Sequence, residues 1–321
     1  MKVEENMKVA CVGGGVIGYS FALGFALKVK EVYIYDVNDG ILNLAKERVH
    51  ESMKLLIKNK VLDENKAKEV ENRIYYTTSM EKAVKDASFI QESGPEHYEV
   101  KHKIVEEMEK YCPEDAIIAS STSGLLITEI AKYAKNKERF VGGHPYNPPH
   151  LIPLIEITKG EETTKENLQK AKEFYEFVGK EPVVLQKEAL GFICNRLQMA
   201  LYREVCSLVM DGVCSVEDAD KAVTFGPGLR WGIMGPSLIF QLGGGKAGID
   251  GLMKHLEGSI NLWLNDMADF KKFPEKWPEI ARKGVEEELK NRKPEIGNDE
   301  KSLEEYRDDM LVELLKLHKK L

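Results

Sequence analysis

No stretch of this 321-residue sequence stays apolar for the roughly 20 residues that a membrane-spanning helix needs. Residues 1–7 are charged and polar, and only a short apolar segment follows them, so we do not expect a signal peptide. The sequence therefore predicts a soluble, cytoplasmic protein without a membrane partner.

The sequence also lacks a dense run of basic residues. Its 46 lysines and arginines are outnumbered by 53 aspartates and glutamates, which gives a formal net charge of −7. Nucleic acids and anionic membrane surfaces attract basic proteins, so we expect neither as a partner.

Cysteine is scarce, and its five residues are scattered through mostly apolar segments: Cys11, Cys112, Cys194, Cys206 and Cys214. An odd number without regular spacing argues against a disulfide framework. Free thiols in a reducing compartment are the favoured interpretation.

Apolar segments typical of strands alternate with helical patterns in the first part of the chain. Strands are predicted at 7–12, 31–36, 73–78, 87–92, 115–120, 139–144, 153–158 and 181–186. Because these strands are too apolar to face water, they predict a doubly wound, mostly parallel sheet with helices on both faces.

The pattern changes at Glu188, after which the chain is almost entirely helical in character. We therefore predict two domains, residues 1–187 with the sheet and residues 188–321 with helices only. A helix predicted at 299–320 carries an apolar stripe, which is typical of a core or of a dimer interface.

A glycine-rich turn follows the first predicted strand and opens a helix. Gly13, Gly15 and Gly18 match G-x-G-x-x-G, with Val16 and Ile17 between the last two glycines. In this position the first glycine permits a tight turn, the second lets the backbone approach a pyrophosphate, and the third allows close helix packing. The turn predicts a Rossmann-like dinucleotide site, and the alternative is a purely structural glycine turn.

Asp36 ends the second predicted strand, where a carboxylate can accept both ribose hydroxyls of a dinucleotide. The same charge repels a 2′-phosphate, and neither Val37 nor Asn38 supplies an arginine to bind one. The predicted cofactor is therefore NAD rather than NADP.

His144 and Glu156 have the residue types of a general base and its orienting carboxylate. Glu156 stands in an otherwise apolar strand, where an ionised group is costly unless it is paired. The alternative is a structural histidine at a strand end. His150 lies near His144, but no third ligand accompanies the two, so we expect no metal site.

Five segments together resemble the 3-hydroxyacyl-CoA dehydrogenase superfamily along almost the whole chain. They are GGGVIG (13–18), ESGPEHYEVK (92–101), SSTSGL (120–125), HPYNPPHLIPLIE (144–156) and GFICNRL (191–197). The resemblance implies a dinucleotide-binding domain followed by a helical domain that forms a homodimer.

The resemblance also implies roles for individual residues. His144 is the expected catalytic base and Glu156 its partner, while Ser123 and Asn195 are expected to hydrogen-bond the substrate oxygen. Asn195 has a simpler interpretation as an amide that packs between helices.

Three further residues are implied to contact the nicotinamide half of the cofactor: Glu96, Lys101 and Asn147. Ser123 is also expected to contact this half of the cofactor.

Within the superfamily the chain looks most similar to the branch of L-carnitine dehydrogenase and lambda-crystallin (L-gulonate 3-dehydrogenase). The shared segments include FIQESGPE (89–96), FGPGLRWGIMGP (225–236), LGGGKAG (242–248) and YRDDML (306–311). A free 3-hydroxy acid carries a carboxylate that Arg230 can bind. Trp231 can face a quaternary ammonium by cation–π attraction. The alternatives are a surface ion pair for Arg230 and a core position for Trp231.

The predicted activity is thus the NAD-dependent oxidation of a small L-3-hydroxy acid, carnitine-like or sugar-acid-like. A short-chain L-3-hydroxyacyl-CoA dehydrogenase is the second possibility, since Ser52, with Lys58 nearby, lies in the helix where acyl-CoA relatives contact the CoA nucleotide. A non-catalytic, crystallin-like NAD-binding protein is the third.

Overall fold

The computed structural model describes residues 3–321, which form two compact units. One unit ends at Ile193 and also takes in Leu311–Leu321, while Cys194–Met310 form the other. The sequence predicted a single division between residues 187 and 188. The C-terminal segment belongs to the first unit rather than the second because Val312 and Leu315 are buried in the hydrophobic core of the first unit.

The first unit contains eight strands and the first seven helices. The strands are β1 (Lys8–Val12), β2 (Glu31–Tyr35), β3 (Ile74–Thr77), β4 (Phe89–Glu92), β5 (Ile117–Ser120), β6 (Phe140–Pro145), β7 (Leu154–Lys159) and β8 (Glu181–Val184). The helices are α1 (Val16–Ala26), α2 (Asp39–Lys58), α3 (Glu64–Glu71), α4 (Met80–Val84), α5 (Tyr98–Met108), α6 (Ile127–Ile130) and α7 (Lys165–Phe177).

The strands form one sheet in the order β3-β2-β1-β4-β5-β6-β7-β8. Every neighbouring pair is parallel except β6 and β7, which are antiparallel. The first six strands thus follow the doubly wound order typical of dinucleotide-binding folds. The predicted Rossmann-like fold is confirmed.

Two hydrophobic cores cover the two faces of this sheet. Successive strand residues point to opposite faces, so that Phe89 packs in one core and Ile90 in the other. On the first face Phe89 stacks on Phe174 of α7, with ring centroids 3.8 Å apart. β4, β5 and β6 are buried along their whole length, which explains the apolar character of the middle of the sheet.

The helix α2 begins with a side-chain cap. The side chain of Asn38 accepts a hydrogen bond from the Gly40 amide at 2.7 Å and so caps the first turn.

The second unit is helical, as predicted. It contains α8 (Cys194–Met210), α9 (Val216–Phe225), α10 (Pro227–Trp231), α11 (Pro236–Gly243), α12 (Gly248–Asp266) and α13 (Trp277–Asn291), and α14 (Glu300–Leu317) begins in it. No helix among residues 3–321 is both long and apolar enough to cross a membrane. All five cysteines are free thiols.

Candidate active site

The glycine-rich turn between β1 and α1 has the conformation that its sequence predicts. Gly13 has φ +111°, and a Cβ there would lie 2.7 Å from the Ser93 carbonyl oxygen. A Cβ on Gly18 would collide with the Gly13 carbonyl oxygen. Around Gly15 the space is open to 4 Å, so the backbone at the start of α1 is accessible to a phosphate group.

Asp36 lies against this turn, just beyond the end of β2. Its carboxylate accepts hydrogen bonds from the Gly14 amide at 2.9 Å and from the Asn38 amide at 3.2 Å. The glycine turn and the predicted ribose-binding carboxylate are therefore brought together.

A cavity of about 630 Å³ opens beside the turn and Asp36. Most of its lining was not predicted from the sequence. The apolar part is formed by Tyr35, Val37, Ile41, Met80, Val100 and Ile104, and Lys103 and Glu107 add polar groups. Such a cleft suits a flat, largely apolar group such as an adenine ring. Its position beyond the carboxyl ends of β1, β2 and β4 is the signal that sequence analysis could have used.

His144 and Glu156 form a buried pair. The side chain of His144 is 7% exposed and that of Glu156 is 1% exposed, and Nδ1 and Oε2 are 2.8 Å apart. The second carboxylate oxygen of Glu156 accepts a hydrogen bond from the Ile193 amide at 2.8 Å. Both oxygens of the buried carboxylate are thus bound, which holds the imidazole in one orientation.

The segment around Ile193 also contacts the histidine ring. Phe192 lies edge-on to His144, with ring centroids 5.3 Å apart. Gly191 and Phe192 both have positive φ, at +70° and +49°. For phenylalanine this backbone conformation is strained.

The loop between His144 and Glu156 is tied to two other elements. Ser20 of α1 accepts a hydrogen bond from the His150 amide and contacts the Nδ1 atom of that ring, both at 2.8 Å. Lys180 donates hydrogen bonds to the carbonyls of Pro149 and Ile152. Burial lowers the pKa of Lys180 to about 7.

Asn147 is exposed on this loop, next to a cis peptide bond that joins it to Pro148. Among residues 3–321, no three histidine, cysteine, aspartate or glutamate side chains are grouped to hold a metal ion.

Lys101 has surroundings that the sequence did not predict. It is 1% exposed, and its ammonium group donates to both carboxylate oxygens of Glu92, at 3.0 and 2.8 Å. Ser120 donates to the same carboxylate at 2.5 Å. Glu92 is thus a buried partner that sequence analysis missed. The expected contact of Lys101 with the cofactor remains a prediction.

Glu96 and Ser123 are brought together. One carboxylate oxygen of Glu96 accepts hydrogen bonds from the Ser123 amide at 2.8 Å and from the Thr122 hydroxyl at 2.6 Å. The Ser123 residue is itself exposed, on the loop between β5 and α6. Glu96 therefore fixes the loop that presents the Ser123 hydroxyl.

The remaining predicted residues belong to the second unit. Asn195 is half-buried near the start of α8. Arg230 and Trp231 are exposed at the end of α10, with 42% of Trp231 accessible. The roles expected of Arg230 and Trp231, and the alternatives to them, stay predictions.

Family models match both parts of the chain. Residues 8–189 match the 3-hydroxyacyl-CoA dehydrogenase NAD binding domain, and residues 191–281 match the C-terminal domain of the same family. The chain belongs to the 3-hydroxyacyl-CoA dehydrogenase family. It is an NAD-dependent oxidoreductase, which confirms the predicted cofactor and enzyme class.

Two members of the family illustrate its range. The chain is 38% identical over 319 residues to an L-carnitine dehydrogenase of Oceanobacillus iheyensis, with 97% of each chain covered. It is 36% identical over 321 residues to a 3-hydroxyacyl-CoA dehydrogenase of Gibberella moniliformis, with 99% of this chain and 97% of that protein covered.

A solved structure supports the fold across both units. It is 5-formyl-3-hydroxy-2-methylpyridine 4-carboxylic acid 5-dehydrogenase, described as an NAD+ dependent dismutase, with a TM-score of 0.78. The identity is 25%, and the match covers 98% of this chain and 99% of that one.

Proposed function

We propose that this protein oxidises the 3-hydroxyl group of a small, free L-3-hydroxy acid, with His144 as the general base. The observation that carries the proposal is the buried contact of His144 Nδ1 with Glu156 Oε2 at 2.8 Å. A carboxylate in that position stabilises the imidazolium that forms when the histidine accepts a proton.

The contact also defines which ring nitrogen reacts. Because Nδ1 is held by Glu156, a neutral imidazole carries its proton on Nδ1 and leaves Nε2 as the acceptor. Nε2 of His144 then takes the hydroxyl proton of the substrate. The Ser123 hydroxyl and the Asn195 amide orient the substrate oxygen and stabilise negative charge on it in the reverse direction.

The first unit has the features needed to hold NAD. The open backbone at Gly15, with Val16 and Ile17 beginning α1, suits the pyrophosphate, and Asp36 suits the adenosine ribose. We assign Glu96, Lys101 and Asn147 to the nicotinamide half. Bound NAD supplies the acceptor for the hydride that leaves the substrate carbon.

The preference for a free acid depends on α10. Arg230 is exposed and has no carboxylate of this chain as a partner among the described residues, so its guanidinium is available to a substrate carboxylate. Trp231 beside it offers an accessible aromatic face to a cationic substrate group. The L-carnitine dehydrogenases among the relatives act on a substrate of that kind.

Oxidation of a short-chain 3-hydroxyacyl-CoA is the second candidate. It is favoured by the 3-hydroxyacyl-CoA dehydrogenase that matches along nearly the whole chain. A crystallin-like role without catalysis does not agree with the assignment of the chain as an oxidoreductase, and it leaves the buried histidine–glutamate pair without a function.

We also propose a cytoplasmic homodimer. The second unit leaves many large apolar side chains exposed, including Leu242, Leu262, Trp263 and Leu264. Such a surface is typical of a protein–protein interface. The five free thiols agree with a reducing compartment. Sedimentation velocity tests the assembly, and a monomer at micromolar concentration contradicts it.

The experiment that tests the activity compares four substrates in one assay of NADH formation. They are L-carnitine, L-gulonate, 3-hydroxybutyrate and L-3-hydroxybutyryl-CoA. Turnover of a free acid and not of the thioester supports the proposal. If the thioester alone is turned over, the second candidate is supported instead. If none of the four compounds is turned over, both candidates are contradicted.

A further inference from the structure

A glutamine occupies the middle of an otherwise apolar core on one face of the sheet. Gln91 of β4 is fully buried and points to the same face as Phe89, toward α7. Burying an amide costs free energy unless its hydrogen bonds are made, so the contacts of Gln91 indicate why it is there.

Both ends of this amide are bound. The side-chain oxygen accepts a hydrogen bond from the Tyr175 hydroxyl at 2.6 Å, and Nε2 donates to the Ser121 hydroxyl at 2.9 Å. Nε2 also donates to the carbonyl of Gly143 at 3.3 Å. Burial raises the pKa of Tyr175 well above its usual range, so its hydroxyl remains a donor.

Gly143 is the residue immediately before His144 in β6. A Cβ on Gly143 would lie 1.9 Å from the Tyr175 hydroxyl oxygen and 3.3 Å from the Ala119 side chain. The backbone of β6 is therefore packed against Tyr175 and hydrogen-bonded to Gln91 at the position that carries the histidine.

The contacts continue to the cofactor cavity. The hydroxyls of Ser121 and Ser93 are 2.8 Å apart, and Ser93 lines the cavity beside the glycine turn. One amide thus connects the backbone before His144, the helix α7 and the wall of the dinucleotide site.

We infer that Gln91 is a positioning residue, which holds the backbone of His144 in fixed relation to the wall of the cofactor cavity. The inference rests on the proposed role of His144 as the base. Proton abstraction and hydride transfer must occur in one geometry, and a displacement of about 1 Å can lower a rate about a hundredfold. Gln91 acts through β6 and touches neither reacting atom in this arrangement.

The test replaces Gln91 by methionine, which keeps the length of the side chain and removes its hydrogen bonds. In Gln91→Met we expect kcat to fall about tenfold or more, with the affinity for NADH changed less than threefold. The fall should appear in kcat, with the KM for the substrate changed less than threefold, because Gln91 touches neither reactant. The matched control is Gln169→Met, which makes the same change on the exposed face of α7.

A double variant separates positioning from a merely structural role. Gln91→Met leaves the Tyr175 hydroxyl buried without its acceptor, and adding Tyr175→Phe removes that hydroxyl. We expect Gln91→Met/Tyr175→Phe to regain thermal stability while kcat stays low. Recovery of kcat together with stability would overturn the inference, as would a change in the substrate KM with kcat unchanged in Gln91→Met.

A second readout keeps this test independent of the substrate. If the unsubstituted protein oxidises none of the four substrates, the proposed function fails. The NMR chemical shifts of the His144 ring protons, assigned with His144→Gln, still report on Gln91. Displaced His144 signals in Gln91→Met and not in Gln169→Met support positioning, and equal chemical shifts in all three proteins contradict it.

Discussion

His144 lies directly opposite Glu156 in the antiparallel pairing of β6 with β7. The two side chains project from paired positions to the same face of the sheet, which brings Nδ1 and Oε2 to 2.8 Å. A slip of the pairing by one residue would send one of the two side chains to the opposite face. The register of this one strand pair therefore decides whether the histidine has a carboxylate.

The first prediction concerns that carboxylate. In Glu156→Gln we expect kcat to fall roughly 10²–10⁴-fold, because a neutral amide does not stabilise the imidazolium and can hold the wrong tautomer. Steady-state kinetics with the preferred substrate measure the change. His144→Gln should lose at least as much activity, and the exposed Glu161→Gln should lose none. Wild-type kcat in Glu156→Gln would contradict the proposed mechanism.

A second prediction concerns cofactor selectivity. Asp36→Ala with Val37→Arg removes the carboxylate that we propose for the ribose hydroxyls and adds a cation on an exposed residue of the same cavity. The ratio of kcat/KM for NAD to that for NADP should fall by about 100-fold, since hydrogen bonds to charged groups contribute about 1.5–3 kcal/mol each. Asp115→Ala on a distant loop is the control. An unchanged ratio would show that Asp36 does not set the selectivity.

Lys180 gives a prediction about pH and stability. Burial lowers its pKa to about 7 in the folded protein, from 10.5 as the ordinary value. Between about pH 7 and pH 10.5 the unfolded chain therefore holds one more proton, and the free energy of unfolding rises with pH through this group. In Lys180→Met that contribution is lost. The difference in stability between wild type and variant should shift in favour of wild type by about 1 kcal/mol per pH unit.

Urea denaturation at several values between pH 6 and pH 9 measures this difference. The control is Lys68→Met, at an exposed position of α3. Its plot of unfolding free energy against pH should run parallel to that of wild type. A Lys180→Met curve that also runs parallel would mean that Lys180 remains charged in the folded state.

The choice between free acid and thioester is tested at Arg230. In Arg230→Ala we expect KM for a free 3-hydroxy acid to rise at least tenfold, because a charged hydrogen bond to the carboxylate is lost. Arg230→Lys should retain part of the affinity, since it keeps the charge and loses the bidentate geometry. The exposed Arg282→Ala of α13 controls for loss of a surface charge. An unchanged KM would exclude Arg230 as the carboxylate anchor.

Much of the sheet could be predicted from the sequence because its strands are short apolar segments that alternate with helical patterns. The segments predicted at 73–78 and 87–92 correspond to β3 (Ile74–Thr77) and β4 (Phe89–Glu92). The direction of β7 was not predicted, although the short connection 146–153 is the decisive feature. Parallel neighbours need a crossover of about a dozen residues or more, so a connection of this length implies an antiparallel pair.

Parts of the candidate site could be predicted where the residue type and its surroundings together allow only one role. Glu156 in an apolar strand implied a partner, and His144 is that partner. The same reasoning applies to Glu92 at the end of β4, but Lys101 had been assigned to the cofactor and its pairing was missed. The Ile193 amide reaches Glu156 through positive φ values at Gly191 and Phe192. Phenylalanine does not signal such a conformation, so this contact could not be predicted.

The burial of Val312 and Leu315 in the first unit has a consequence for biosynthesis. The ribosome completes the cofactor-binding half of this protein only after it has translated all of Cys194–Met310. Domains generally fold as units during synthesis, beginning from the N-terminus. In the nascent chain, the part of the N-terminal core that Val312 and Leu315 cover therefore stays exposed until the helical segment has been synthesised. The hydrogen bond from the Lys316 ammonium to the Asn59 carbonyl then ties α14 to the end of α2 within the first unit.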